Sequence, residues 1–362
     1  MSIELATRPL ARVLIVDDSA FMRTALSRMI ASETGFEVVG TATSGRDALD
    51  YIASLDPDVI TLDLEMPGLD GLQTLRQIMA RFPRPVIMVS SATESSAEAT
   101  FNALGAGAFD YVPKKMAPDS LDIFHIRPDL INKIRAAALS RRAKLAGIGV
   151  PKPPQPASNE APVATATTPA IVAIGTSTGG PKALQEILPL LPRDFPVPIV
   201  IVQHMPPGFT QPFAQRLNQL CSISVREATD REALRAGTAY IAPAGMHMTV
   251  SRSASSRTLI HLDTHPDTLL HIPSVDILMK SVAEAFRTQA MGVILTGMGS
   301  DGVEGMKAIH EHGGFTLGQD ESTCAVYGMP RACAHLGILN RVIALDQVPA
   351  QILQAVRYRK RA

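Results

Sequence analysis

The sequence predicts an α/β protein made of two doubly wound parallel-sheet domains, residues 11–130 and 170–356, joined by a Pro/Ala/Thr-rich linker over 131–169. Three observations carry this. Strand-type apolar runs alternate with helical patterns five times in the first 120 or so residues. The alternation resumes at Ala170. Between them, Pro151, Pro153, Pro154, Pro156, Pro162 and Pro169 lie among Ala, Thr and Ser, without an aromatic residue or a periodicity. Alternating strands and helices imply parallel sheets, whose reactive edge lies at the strand C-termini.

Bulk composition narrows the class. The chain has 362 residues, too many for one ordinary core. Its 34 basic and 34 acidic residues balance, which removes the electrostatic case for nucleic acid or an anionic membrane. Tryptophan is absent and aromatics make up 4 %, so base stacking is poorly supported. Cys221, Cys324 and Cys333 are an odd count without a CxxC pair, which fits a reducing compartment better than a disulfide framework. Met1 to Leu10 lacks the apolar core of a signal peptide, and no run reaches the ~18 apolar residues of a membrane span. A soluble cytoplasmic protein without membrane insertion is expected.

In the first half, Arg12–Val16, Phe36–Ala42, Asp58–Leu62, Pro85–Val89 and Phe109–Val112 read as strands. Phe21–Ala31, Ser44–Ser54, Gly71–Arg81 and Ala97–Gly105 read as helices. Strand ends bring Asp17, Asp18 and Asp63 to one edge, flanked by Ser90 and Lys114. Carboxylates that close repel, so a hard divalent cation with oxygen ligands is their natural companion. An aspartate beside such an ion, a lysine and a hydroxyl can accept a phosphoryl group, because the cations stabilise charge on the transferring oxygens. One aspartate alone would be read as a helix cap or a solvated loop residue. The five positions in order favour the phosphoryl reading.

This half resembles a two-component receiver domain, flavodoxin-like in fold. The resemblance implies that Asp63 is the phosphoacceptor and that Asp17 and Asp18 help hold Mg2+, joined by the backbone carbonyl of Glu65. It also implies Ser90 and Lys114 as switch hydroxyl and lysine, and Tyr111 as the aromatic switch residue. Met66-Pro67 and Asp70-Gly71 match the loop after the phosphoacceptor, whereas Met116 to Arg127 departs from a generic receiver.

Ile131 to Leu145 reads as a basic helix with Arg135, Arg141, Arg142 and Lys144. In a neutral chain, a solvated helix face is expected there rather than a nucleic-acid patch. Residues 147–169 read as a semi-extended linker that cannot bury a core.

In the second half, Ala170–Ile174, Pro198–Gln203, Val225–Ala228, Ala239–Ala242, Met291–Leu295 and Phe315–Leu317 read as strands. Met248–Ser251 and Leu259–Asp263 read as a hairpin. Helices are expected over Pro181–Leu191, from a Thr210 cap to Leu220, over Ser274–Arg287 with Ser274 as cap, and up to His312. Three strand ends thereby deliver Ser177, His204 and Asp301 to one edge. A serine hydroxyl is a weak nucleophile until a base takes its proton, and the base needs a carboxylate to fix its tautomer. Glycine-rich turns leave backbone N–H groups able to face an oxyanion.

Gly175-x-Ser177-x-Gly179 matches a nucleophile elbow formally, but α/β-hydrolases order their triad Ser, Asp, His and this chain reads Ser, His, Asp. The turn also resembles a phosphate loop, although Pro181-Lys182 breaks GxxxxGK[ST] and the dinucleotide spacing fails. Serine catalysis, nucleotide binding and a structural turn all remain open on these motifs alone. His265, Asp267 and His271 form a possible metal set, but loop histidines near a proline are expected to be without that role.

Residues 170 to about 356 resemble the catalytic domain, Rossmann-like in fold, of chemotaxis protein-glutamate methylesterases. The matching blocks are Ile174-Gly-Thr-Ser-Thr-Gly-Gly180, Gln203-His-Met-Pro-Pro-Gly-Phe-Thr210, Ala242-Pro-Ala-Gly245, Pro273-Ser-Val-Asp276, Thr296-Gly-Met-Gly-Ser-Asp-Gly302 and Gly328-Met-Pro-Arg331. The resemblance implies a Ser177, His204, Asp301 triad, with oxyanion help from the Met298 amide and the Thr178 region. It implies demethylation and deamidation of methyl-accepting chemoreceptors, switched on by phosphate from a chemotaxis histidine kinase. It implies Mg2+ for phosphorylation and no cofactor for hydrolysis. Thr176 and Ser300 stand where many members carry alanine, and Ile272 stands where arginine is expected.

Overall fold

A computed structural model describes residues 10–91, 94–114, 123–145, 167–252 and 257–358, which form two compact units dividing after Ile148. Most of the expected linker, including Pro151 to Pro162, and Met116 to Asp122 lie outside the described residues. Among the described residues no helix is long and apolar enough to cross a membrane.

The first unit is a five-stranded parallel sheet in the order β2-β1-β3-β4-β5. The strands are β1 (Ala11–Val16), β2 (Phe36–Ala42), β3 (Val59–Asp63), β4 (Val86–Ser90) and β5 (Asp110–Pro113). Helices α1 (Ala20–Ala31), α2 (Gly45–Leu55), α3 (Gly71–Arg81) and α4 (Glu94–Gly105) connect them. Ser19, Ser44 and Asp70 cap the first three by accepting the amide three residues on, which satisfies an otherwise orphaned N–H. The inner strands β3 and β4 are buried at every position because helices cover both faces, whereas the edge strand β2 is partly exposed.

Helix α5 (Arg127–Leu145) corrects one expectation. It starts four residues before Ile131 and is not a solvated helix of the linker. Leu130, Ile131, Ile134, Ala137 and Ala138 are buried in the core of the first unit, at helical spacing. Its basic residues are engaged within the unit. Arg135 pairs with Glu33 at 2.8 Å, and Arg141 pairs with Asp58 at 3.0 Å and Asp56 at 3.1 Å. Burial of one face outweighed the mean polarity that marked this stretch as exposed. The side chains of Arg142 and Lys144 lie outside the described residues.

The second unit holds a seven-stranded parallel sheet in the order β14-β13-β12-β6-β7-β9-β8. These strands are β6 (Ile171–Thr176), β7 (Ile199–Gln203), β8 (Ser224–Glu227), β9 (Thr238–Ile241), β12 (Ala290–Ile294), β13 (Phe315–Gln319) and β14 (Arg341–Ile343). An antiparallel hairpin of β10 (His247–Arg252) and β11 (Thr258–Asp263) stands apart and packs on α8 (Val275–Phe286). Helices α6 (Gly180–Ile187), α7 (Thr210–Leu220), α9 (Val303–Glu311), α10 (Met329–His335) and α11 (Val348–Ala355) complete the unit. Strand β14 and helices α10 and α11 carry patterns too short to have been read as elements in advance. Ser274 caps α8 as expected, accepting from the Ile277 amide. Thr210 does not cap α7: it is the first helical residue, and its hydroxyl bonds Glu227 and accepts the Ala244 amide.

The chain leaves β6 toward β7 and later returns to place β12 on the other side of β6. The switch point between β6 and β12 opens a crevice at the strand C-termini, where ligands bind in such sheets. The first unit has the equivalent point between β1 and β3.

If α5 is core, Ile134→Ala should destabilise the first unit by about 2–5 kcal/mol. Leu139→Ala, on the half-exposed face of the same helix, should cost less than about 1 kcal/mol. Urea unfolding of the intact chain checks both.

Candidate active site

In the first unit, Asp17 and Asp18 follow the end of β1, and β3 ends at Asp63. Each offers a carboxylate oxygen, and these lie within 4.8 Å of one another. Asp17 and Asp63 are buried and Asp18 is exposed. Lys114 follows β5 and places its Nζ 2.7 Å from Asp63 Oδ2 and 3.2 Å from Asp17 Oδ2. Arg23 holds the loop by donating to the carbonyls of Asp17 and Asp18. Burial raises the Asp63 carboxyl above its ordinary range; the Lys114 contact opposes this and Asp17 adds to it. Burial would lower Lys114, but its bonds to Asp63 and Asp17 win and raise it. Three carboxylates against one ammonium leave an uncompensated negative pocket. Asp17 Oδ2 is buried, and among the described residues the Lys114 ammonium at 3.2 Å is its ion-pair partner. This donor set fits a hard cation with oxygen ligands.

The neighbouring residues are also brought together. The Glu65 amide donates to Asp63 Oδ1 at 3.3 Å, while the Glu65 carboxylate accepts from Ser91 Oγ at 3.0 Å. Ser90 ends β4, fully buried, with its hydroxyl accepting from Thr100 Oγ1 at 3.0 Å and its carbonyl accepting the Lys114 amide at 2.7 Å. Tyr111 is buried edge-on to Phe101, with centroids 6.2 Å apart, and its carbonyl accepts from Lys133 Nζ of α5 at 2.6 Å.

In the second unit, β6 and β7 stay paired to Thr176 and Gln203, so Ser177 and His204 leave adjacent strands at the same level. The Ser177 amide donates to the Thr296 carbonyl just beyond β12, at 3.1 Å. Close approach at this edge requires glycine. A Cβ on Gly297 would sit 2.9 Å from Ser177 Cβ and 2.2 Å from Met329 Sδ. Gly179 has φ +77° and caps α6, whose second residue is Pro181.

His204 Nε2 lies 2.8 Å from Asp301 Oδ2. A carboxylate only accepts, so Nε2 carries the proton and Nδ1 keeps its lone pair. This is the reverse of chymotrypsin-type triads, in which Nδ1 faces the aspartate. Nδ1 is buried and has no hydrogen-bond partner among the described residues. Asp301 also accepts from Ser274 Oγ at 2.9 Å, the Asp276 amide at 3.0 Å and the Val275 amide at 2.8 Å. The carboxylate thus sits on the N-terminus of α8, where the helix dipole favours negative charge. Burial would raise its pKa, but the His204 contact and the two amides hold it well below the usual carboxylate range.

The structure joins His204 to Asp301 and sets Ser177 beside them through sheet register, without a hydrogen bond from Ser177 to Nδ1. The Thr178 and Met298 amides occupy the flanking turns, and among the described residues no backbone acceptor takes up either N–H. Three contributors were missed in the sequence. His271 stacks on His204, with ring centroids 4.0 Å apart and 16° between planes. Ser274 was read only as a cap, and Gln203 only as the end of a strand. Among the described residues the sole clustered metal-type set is Asp17, Asp18 and Asp63, so His265, Asp267 and His271 form none.

Fold and site together define a class: an α/β enzyme carrying a receiver-type unit with an acidic, lysine-flanked pocket. Residues 172–352 match the model of CheB methylesterase, and residues 13–123 match that of the response regulator receiver domain. Two relatives are named protein-glutamate methylesterase/protein-glutamine glutaminase. That of Oleidesulfovibrio alaskensis is 45 % identical and that of Symbiobacterium thermophilum also 45 %, with 95 % and 96 % of this chain covered and 99 % and 98 % of theirs. The solved catalytic domain of Thermotoga maritima CheB methylesterase is 38 % identical, with a TM-score of 0.50, over 52 % of this chain and 99 % of that one. The chain belongs to the CheB methylesterase family.

Asp301 yields a pH prediction. Its folded-state pKa is depressed, so its stabilisation is present above the ordinary aspartate pKa of about 3.9 and is lost as pH falls toward the folded value. Asp301→Asn should therefore destabilise the second unit by about 1–3 kcal/mol at pH 7. The gap from wild type should close below about pH 4, as followed by thermal unfolding of the intact chain.

Proposed function

We propose that this chain is a phosphorylation-activated protein-glutamate methylesterase and protein-glutamine glutaminase acting on methyl-accepting chemoreceptors, with Ser177 as nucleophile. The observation that carries this reading is the His204–Asp301 pair, fixed on the α8 N-terminus beside Ser177, in a chain of this family. Nδ1, left free by the Asp301 contact, takes the Ser177 proton as Oγ attacks the glutamyl ester carbonyl. The Asp301 carboxylate stabilises the imidazolium so formed. The Thr178 and Met298 amides face the oxyanion, one such donor typically lowering the barrier by ~2.7–4 kcal/mol. The proton on Nδ1 passes to the methoxy leaving group, and methanol departs from an acyl-enzyme. Water, deprotonated by the same nitrogen, releases glutamate and restores Ser177. A glutamine side chain enters the same route and releases ammonia.

In the first unit, Asp63 is the phosphoacceptor. Asp17, Asp18 and Asp63, with the Glu65 carbonyl, are the residues that would hold Mg2+, which when bound offsets charge on the phosphoryl oxygens. Lys114 neutralises one side of the pocket, and Ser90, Lys114 and Tyr111 register the new phosphate. The phosphodonor is a chemotaxis histidine kinase, and the setting is cytoplasmic. Phosphate on Asp63 shifts the population of active enzyme; a complete 1:99 to 99:1 switch would need roughly 5.5 kcal/mol of differential stabilisation, so partial activation is expected.

Ser177→Ala should lower methanol release from methylated receptor by at least about 10⁴-fold without changing the fold. Retained release would show that another group is the nucleophile. Asp63→Asn should keep basal release and lose its stimulation by a small phosphodonor such as acetyl phosphate. A wild-type response would remove Asp63 from the switch.

A further inference from the structure

We propose that Gln203 is a positioning residue that ties the turn bearing Ser177 to the turn bearing His204. The inference rests on the reading of those two residues as nucleophile and base. Gln203 ends β7 and is 2 % exposed. Its Nε2 donates to the Ser177 carbonyl at 3.0 Å and to the His204 carbonyl at 2.9 Å. Both carbonyls only accept, so the amide nitrogen must face them and the amide oxygen must face away.

That orientation has a cost. Oε1 is buried and has no hydrogen-bond partner among the described residues. It points at the backbone of Gly180, where a Cβ would sit 2.1 Å from Oε1 and 2.3 Å from Thr176 Oγ1. A buried acceptor left unmet is unfavourable, and an apolar side chain of similar length would fill the same space without it. Gln203 is therefore placed for its two donations and not for packing.

The location explains what the donations do. The β6–β7 ladder ends at the Thr176 and Gln203 pair. Beyond it, the His204 amide still donates to the Thr176 carbonyl at 3.1 Å. Gln203 adds a side-chain bridge one residue further, between the backbones of the two reacting residues themselves. Asp301 orients the His204 ring through Nε2, and His271 stacks on its face. Neither controls the spacing of the Ser177 and His204 backbones, which Gln203 spans directly. Ser177 Oγ reaches Nδ1 only when that spacing is right, and misplacement by about 1 Å can cost on the order of 100-fold.

The test uses the intact chain, activated by acetyl phosphate, with methylated receptor as substrate. Gln203→Met keeps the length of the side chain and removes both donors and the orphaned oxygen. Its thermal midpoint is expected to stay near that of wild type, because removing the unmet oxygen offsets the two lost donations; its KM should stay within about twofold and its kcat should fall by roughly 10–100-fold. Covalent labelling of Ser177 by a fluorophosphonate should slow in parallel. Gln203→Glu, of the same shape, is a second variant. As a carboxylate it repels both carbonyls, and when protonated it regains one donor, so its kcat relative to wild type should rise as pH falls. Wild-type kcat and labelling in Gln203→Met would overturn the inference. So would a lowered midpoint with unchanged kcat, or a Gln203→Glu ratio that does not change with pH. Ser177→Ala is run alongside: if it still releases methanol, the nucleophile assignment has failed, whereas an inactive Ser177→Ala beside a fully active Gln203→Met removes only the role of Gln203.

Discussion

A single partly buried carboxylate organises the candidate site of the second unit. Asp301 draws together the loop after β12, the N-terminus of α8 and the end of β7, by accepting from Ser274, Val275, Asp276 and His204. A carboxylate removed from water and left unpaired would take up a proton. Here the donors outweigh burial, so the charge persists at neutral pH, and that charge fixes the tautomer of His204. The α8 terminus and the His204 ring are thus held by the same carboxylate. Stability and chemistry are therefore coupled at this point.

The two units use one topological device for different chemistry. In each sheet the chain reverses its direction of strand addition, between β1 and β3 or between β6 and β12, and the candidate site residues lie at the crevice so opened. In the first unit the crevice collects excess negative charge with Lys114 as partial counterweight, a poor place for an unaccompanied carboxylate and a good one for a cation and a phosphoryl group. In the second it collects Ser177 and His204 beside the Asp301 carboxylate, which is shielded by four donors. Glycines at positions 179 and 297 admit close backbone approach where a side chain would collide with Ala325, Met329 or Ser177.

Most of the elements were legible because each carries its own signal: strand-type apolar runs, a cap such as Ser274, or a proline in the first turn of α6. Helix α5 was misread because its sequence is polar on average, and only packing shows that Ile131, Ile134, Ala137 and Ala138 share one buried stripe. Thr210 was misread as a cap because a threonine at a helix start looks the same whether it bonds its own helix or, as here, Glu227 and Ala244. His271 looked like an ordinary loop histidine because its partner, His204, lies 67 positions away in the chain.

By itself the sequence determined which residue types end which strands: Asp17, Asp18, Asp63, Ser177, His204 and Asp301 follow apolar runs whose burial is dictated by local pattern. Parallel pairing then sends all such ends to one edge. Tertiary structure alone decided the finer matters. It chose which imidazole nitrogen meets Asp301, set His271 against the ring, turned the Gln203 amide toward two carbonyls, and brought α8 to the carboxylate. These depend on distances between segments far apart in the chain, set by the packing of whole helices and sheets, and no local pattern encodes them.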